Sequence, residues 1–253
     1  MKHLLVSLLL STAVWAQVAV PAGTVLPVAL STSLDSGKMK AGQRITARIM
    51  QDVPLPTGKI PAGAKIVGHI VNLTPAGDGT SAAFTLQFDA LRIRRRTVPI
   101  VTSLRAWASM REVENSQVPS TGTDRGTPWA WMTTNQIGGE VVYGQGGPVM
   151  NGSSLVGHAA AGGVLVHVSA KPGSACRRDV DNEGLQALWL FSSDACGLYG
   201  FSDLEVTHSG RTNPVGLITI ASKQGRLHIR GGSGLLLCVA ATSAPIPPIT
   251  NGY

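Results

Sequence analysis

Two runs of alternating side chains meet around a proline- and glycine-punctuated connection between Ile45 and Val71, and this stretch restricts the fold more than any other. Ile45, Ala47 and Ile49 fall on one side of a pleat with Thr46, Arg48 and Met50 on the other, and Ile66, Gly68 and Ile70 repeat the alternation. A period of two marks strands with one buried face, so the segment reads as an antiparallel pair. Pro54, Pro56 and Thr57-Gly58-Lys59 interrupt it, which implies a connection longer than a two-residue hairpin turn.

The same grammar extends over the first 110 residues. Val20-Pro21-Ala22-Gly23 opens the run TVLPVALSTSL, and Ile60-Pro61-Ala62-Gly63 opens AKIVGHIV. Proline in the second place and glycine in the fourth is the pattern of a type I turn, so each copy is expected to bend the chain into a strand. Phe84, Leu86 and Phe88 alternate with Thr85, Gln87 and Asp89, and a further strand is expected near Val98 to Leu104. Only 14% of residues are charged against 43% apolar, which excludes a disordered chain and suits short strands with many turns. The expected class is all-β: an antiparallel barrel or sandwich over 17–110, then a second β-rich region over 153–253.

The order of these pieces carries a resemblance. Pro21 to Thr24, Ala47, Asp52, Val53, Ile60 to Gly63 and Gly68 follow the pattern "PAGT, apolar strand, glycine turn, A-x-x-x-x-DV, IPAG-x-x-x-x-G". It resembles the C-terminal β-barrel domain of TrbI-like conjugal-transfer and type IV secretion channel proteins, and exported bacterial proteins that carry this domain alone. The resemblance covers about a third of the chain. It implies an envelope barrel that assembles with copies of itself and with other proteins. Channel members carry a cytoplasmic tail and a transmembrane helix before the barrel; here a leader stands in that place, which points to a barrel serving another envelope role.

That leader is residues 1–16, MKHLLVSLLLSTAVWA. Lys2 and His3 precede an apolar run from Leu4 to Leu10, and small residues end it at Ala16, the pattern of a cleavable secretory signal. The run is far shorter than the roughly 20 residues that span a bilayer. The expected location is therefore exported: periplasmic, outer-membrane associated or secreted, with no transmembrane helix in the mature chain. A net charge of +7 favours acidic partners such as envelope polysaccharide.

Two surfaces stand out as candidate contacts. Arg92, Arg94 and Arg96 would share one face of an extended strand and could hold phosphate or carboxylate groups; the alternative is a hairpin tip or sheet edge where charge deters pairing. No aromatic residues interleave with them, so nucleic acid is not an expected partner. Residues 111–152 turn polar and read as a linker or long loop, within which Trp129 and Trp131 fall on one face if extended. Such a pair could stack on sugar rings or fill a gap between sheets.

Beyond that segment, Val164, Val166 and Val168 alternate with Leu165, His167 and Ser169, so a strand covered on both sides is expected. Three cysteines allow three single pairings. Cys176 and Cys196 are well placed to close a disulfide in an oxidising compartment, while Cys238, in GLLLCVA, suits a buried thiol.

No residue set specifies a reaction. Ser233 in Gly-Gly-Ser-Gly lacks the spaced glycines of a nucleophile elbow and reads as a hairpin turn. His69, His158, His167, His208 and His228 show no metal-binding spacing, and Asp179, Asp181 and Glu183 form only part of a calcium-loop pattern. No cofactor or metal is expected. The sequence is thus read as an exported non-enzymatic β-protein making protein contacts, with itself or another envelope protein. The competing readings are a glycan- or peptidoglycan-binding module using the Trp129, Trp131 and Arg92 to Arg96 surfaces, and a secreted hydrolase.

Overall fold

The computed structural model describes residues 20–77, 79–118, 133–139, 141–143, 146–169, 176, 179–180 and 182–241. The leader, Trp129, Trp131 and Asp181 lie outside the described residues. The strands of the first half are β1 Val25–Leu30, β2 Leu34–Asp35, β3 Arg44–Ile49, β4 Val53–Leu55, β5 Gly58–Ile60, β6 Lys65–Thr74, β7 Ala83–Ile93, β8 Arg96–Pro99 and β9 Thr102–Ala108. One helix follows, α1 Met110–Gln117, then β10 Thr133–Asn135, β11 Val141–Tyr143, β12 Pro148–Asn151, β13 Ser154–Ala160, β14 Gly163–Val166 and β15 Gln186–Ala187. The chain continues through β16 Gly197–Tyr199, β17 Leu204–His208, β18 Ile218–Ser222, β19 His228–Ile229 and β20 Gly234–Val239.

The fold is all-β. The larger sheet runs β16-β9-β20-β1-β3-β6-β7-β18-β17, with β8 beside β7, and only the β16–β9 pair is parallel. This sheet curls into a nearly closed barrel. Leu104, in β9 near one end of the order, donates its N–H to the Ser209 carbonyl, just past β17 at the other end, at 2.8 Å. A second sheet, β10-β11-β12-β13-β14-β15, is built from successive antiparallel neighbours.

The Ile45–Val71 pairing forms as the alternation requires. β3 and β6 align with Ile45 opposite Gly68 and Ala47 opposite Ile66, and the connection between them folds into the small β4–β5 hairpin. Ile45, Ala47, Ile49, Ile66 and Ile70 are buried with Phe84, Leu86 and Phe88 in one cluster inside the barrel. Each isoleucine, leucine and phenylalanine among them contributes about 1.5–3 kcal/mol by leaving water. Gly68 sits where the β6–β7 register shifts, and a Cβ there would lie 2.0 Å from the Gln87 carbonyl oxygen, so only glycine lets the two backbones approach.

The two Pro-Ala-Gly corners are equivalent, one residue out of step with the expected type I turn. The turn bond runs from Thr24 N–H to Pro21 O and from Ala64 N–H to Pro61 O, both 3.2 Å, so each turn begins at its proline. Gly23 and Gly63 then occupy the third place at φ +81° and +84°, as a type II turn demands. Each corner also caps a strand pair in the same way. Gly23 donates to Val239 O and Val239 to Thr24 O, while Gly63 donates to Ile49 O and Ile49 to Ala64 O.

The sheets do not follow the segments read from composition. Residues 17–110 supply most of the barrel, yet β16, β17, β18 and β20, all within 153–253, complete it. Within 111–152, read as a linker, the described residues hold most of α1 and all of β10, β11 and β12. The second sheet packs on the outside of the barrel wall made by β9, β20 and β1. Leu235 and Leu237 therefore point into the barrel core, and Leu236 joins Val25, Ala106, Val142, Val149, Val164 and Val166 in a second cluster. Coverage on both faces explains why GLLLCV is continuously apolar rather than alternating. The same holds for β14, where Leu165 packs on the first cluster and Val164 and Val166 on the second.

Candidate functional site

Among the described residues, the chemistry-bearing side chains gather at three places: a buried ion cluster, a cleft at the start of α1, and a smaller cleft between α1 and the second sheet. The cluster begins with Arg105, central in the apolar strand β9 and 2% exposed. Its Nη1 lies 2.5 Å from Asp179 Oδ2, and its Nη2 donates to Ser193 O at 3.2 Å. Arg211 Nε donates to the other Asp179 oxygen, and its Nη2 to Leu104 O. One carboxylate between two guanidinium groups, with carbonyls accepting from the two Nη2 groups, is how a charge is tolerated out of water, although Arg105 Nε is left without a partner among the described residues. Cys176 and Cys196 are joined in a disulfide with Cα atoms 5.8 Å apart, and Cys176 Sγ lies 3.3 Å from the Arg105 carbonyl oxygen. The bridge and the ion cluster thus fix the same loop against β9. Cys238 is free and buried in this wall, and burial pushes its thiol up to about 11, an unreactive state at neutral pH.

The larger cleft, about 480 Å³, opens where α1 begins. Ser109 caps the helix, its Oγ accepting from Glu112 N–H at 3.3 Å and its carbonyl accepting from Val113 N–H at 3.1 Å. Arg111, Glu114, His228, Arg230 and Ser233 complete its polar lining. Ser233 is 1% exposed and its Oγ has no hydrogen-bond partner among the described residues. A Ser–His–Asp reading fails on geometry: no hydrogen bond joins His228 to Ser233, and His228 Nδ1 is 3.8 Å from Asp35. The Asp35 carboxylate is instead engaged by Arg226 through two 2.8 Å bonds and by Gly37 N–H at 3.0 Å. The Gly37 amide, with Arg226 beside it, holds the Asp35 carboxyl below its ordinary value.

The smaller cleft, about 280 Å³, has Val142, Val164 and Leu190 on its walls. Gln136 lines it, donating through Nε2 to Phe191 O at 2.8 Å, while its Oε1 is buried without a partner among the described residues. Trp189 borders it at φ +54°, a conformation strained for a bulky residue.

Arg92, Arg94 and Arg96 do not share a strand face. Arg92 ends its run in β7, the chain reverses at Arg94-Arg95 with Arg94 at φ +54°, and Arg96 opens β8 opposite Ile93. The tract is a hairpin tip with every arginine exposed. Trp129 and Trp131 lie outside the described residues. Arg105, Asp179 and Arg211 were not legible as a set. Asp179 reads as part of a solvated acidic loop, and a lone arginine in an apolar strand was the sole trace of its partner.

Among the described residues no group of three or more His, Cys, Asp and Glu is placed to hold a metal ion, and no helix is long and apolar enough to cross a membrane. No family model matches the chain, and no curated protein matches it.

Proposed function

We propose that this chain is an exported, non-enzymatic β-protein of the cell envelope whose second sheet docks on a second copy of itself. The supporting observation is a row of apolar side chains on that sheet's outer face. Val142, Val149 and Val156 pack inward on the second cluster, so their neighbours point out. Val141 is opposite Met150, and Met150 is opposite Leu155, placing three apolar groups side by side across β11, β12 and β13. Leu155 is 67% exposed and Val141 38%. The row is bordered on β10 by Asn135, opposite Val141, and within it three apolar groups stand together on a face that is normally polar in a solvated antiparallel sheet. A two-fold contact would set each row against its counterpart. The leader motif, the TrbI-like order of residues in the first third and the Cys176–Cys196 disulfide support the envelope placement, since disulfides persist in oxidising compartments.

Sedimentation equilibrium of the protein lacking residues 1–16 tests the contact. The wild type is expected to self-associate with concentration, and Leu155→Ser combined with Val141→Ser to shift the equilibrium at least about tenfold toward monomer, the equivalent of about 1.4 kcal/mol. A wild type that stays monomeric, or a double variant that associates unchanged, overturns the reading.

A further inference from the structure

We propose that the cleft at the start of α1 is an oxyanion site, built to take a phosphate or carboxylate group carried on a body about the size of a sugar. The inference stands apart from self-association, which uses the opposite layer of the molecule. Three independent features converge on the same space.

The first is the helix end itself. Ser109 satisfies the N–H groups of Glu112 and Val113, and those of Met110 and Arg111 are without a protein partner among the described residues. Both residues line the cleft. Free amides at a helix N-terminus, reinforced by the helix dipole, favour bound negative charge.

The second is charge. Arg111 and Arg230 border the cleft exposed and without an ion pair among the described residues, against Glu114 as the one carboxylate in the lining. Two further acids stand near: Glu112, whose carboxylate lies against Gly200 of the lining, and Asp35, which is already held by Arg226. The two guanidinium forks carry no ion pair among the described residues and suit planar or tetrahedral oxyanions.

The third is Ser233. A hydroxyl buried to 99% with no partner costs folding free energy unless something else satisfies it, and this one lines the cleft. It can donate to an anion that a bulkier or apolar residue would exclude. The volume, about 480 Å³, exceeds what a bare phosphate fills and matches a small organic anion.

Isothermal titration with inorganic phosphate, glucose 6-phosphate, glucuronate and uncharged glucose, at low ionic strength, reads the proposal directly. Glucose 6-phosphate or glucuronate is expected to bind saturably, inorganic phosphate more weakly, and glucose not at all. Whether the phosphate or the carboxylate sugar binds better decides between the two oxyanion sources. Ser233→Ala is expected to weaken binding about five- to tenfold while leaving the melting temperature unchanged or higher, because it removes an unpaired buried hydroxyl. Arg230→Ala is expected to weaken binding about tenfold or more. Glu114→Gln should tighten it. Absence of saturable binding by every anion up to about 10 mM, or binding that survives both Ser233→Ala and Arg230→Ala, overturns the assignment.

Discussion

The barrel and the layer outside it are held by different forces. Inside the barrel, β1, β3, β6, β7 and β8 follow one another in space as in sequence and apolar alternation does the work from Ile45 through Phe88, while β16, β17, β18 and β20 return from far along the chain to finish the wall. The second layer shares an apolar cluster with the barrel wall and adds buried polar groups that reach across the boundary. Gln51, just past β3, donates to Val164 O at 2.9 Å and accepts from Trp189 N–H at 2.8 Å. Gln186, in β15, returns the favour by accepting from Val25 N–H in β1 at 3.0 Å. Each layer thus lends one glutamine to satisfy backbone groups of the other, and Arg105, Asp179 and Arg211 pin the remaining loop. Apolar surface alone would let the two layers slide; directional bonds fix their register.

Removing a polar anchor should therefore loosen the outer layer before the barrel. Asp179→Ala leaves two buried guanidinium groups facing each other and is expected to cost about 3–5 kcal/mol. Native-state hydrogen exchange should show the loss first in β14 and β15, with the amides of β3 and β6 still protected. Equal loss in both layers would abolish the distinction. Gln51→Ala orphans Trp189 N–H and takes one of two donors from Val164 O, which also accepts from Leu188 N–H, and is expected to cost about 1–3 kcal/mol by urea denaturation, against less than about 0.5 kcal/mol for an exposed control such as Gln117→Ala.

The smallest effect is set by acid. Asp35 and Asp52 both titrate below their ordinary value, Asp35 chiefly through Gly37 N–H and Asp52 chiefly through Lys59, 2.5 Å away. A carboxyl with a lowered folded pKa adds stability that is complete above the unfolded value and fades as pH falls through the folded one. Asp35→Asn should lower the urea midpoint slightly at pH 6, and by progressively less as pH falls through the lowered folded value. A larger loss at the lower pH would contradict this sign.

What the residues reveal in advance follows the same division. Ile45, Ala47, Ile66 and Ile70 announce their strands because periodicity is local and survives in one dimension. The two Pro-Ala-Gly corners were visible too, although the choice between starting a turn at the proline or before it depends on a hydrogen bond that composition does not encode. Cys176 and Cys196 were legible as a candidate pair from their place in the chain and the export expected of residues 1–16. The ion cluster was not: its members are 74 residues apart for Arg105 and Asp179, and 32 for Asp179 and Arg211, and nothing short-range links them. The shared face expected for Arg92, Arg94 and Arg96 assumed a straight strand, and a left-handed Arg94 breaks it. Ser233 was visible as a turn residue, but its lack of a partner is a property of the packed interior.

The position of β20 carries a consequence for how the molecule is made. This strand, nearly the last of the described residues, sits between β1 and β9 in the middle of the barrel wall. Until Val239 has emerged from the ribosome, the first and ninth strands face each other across a missing slat, each with a bare row of amides and carbonyls. The barrel cannot be finished from its leading end forward, so a nascent chain stays open, and a truncated one stays sticky, until β20 slots home.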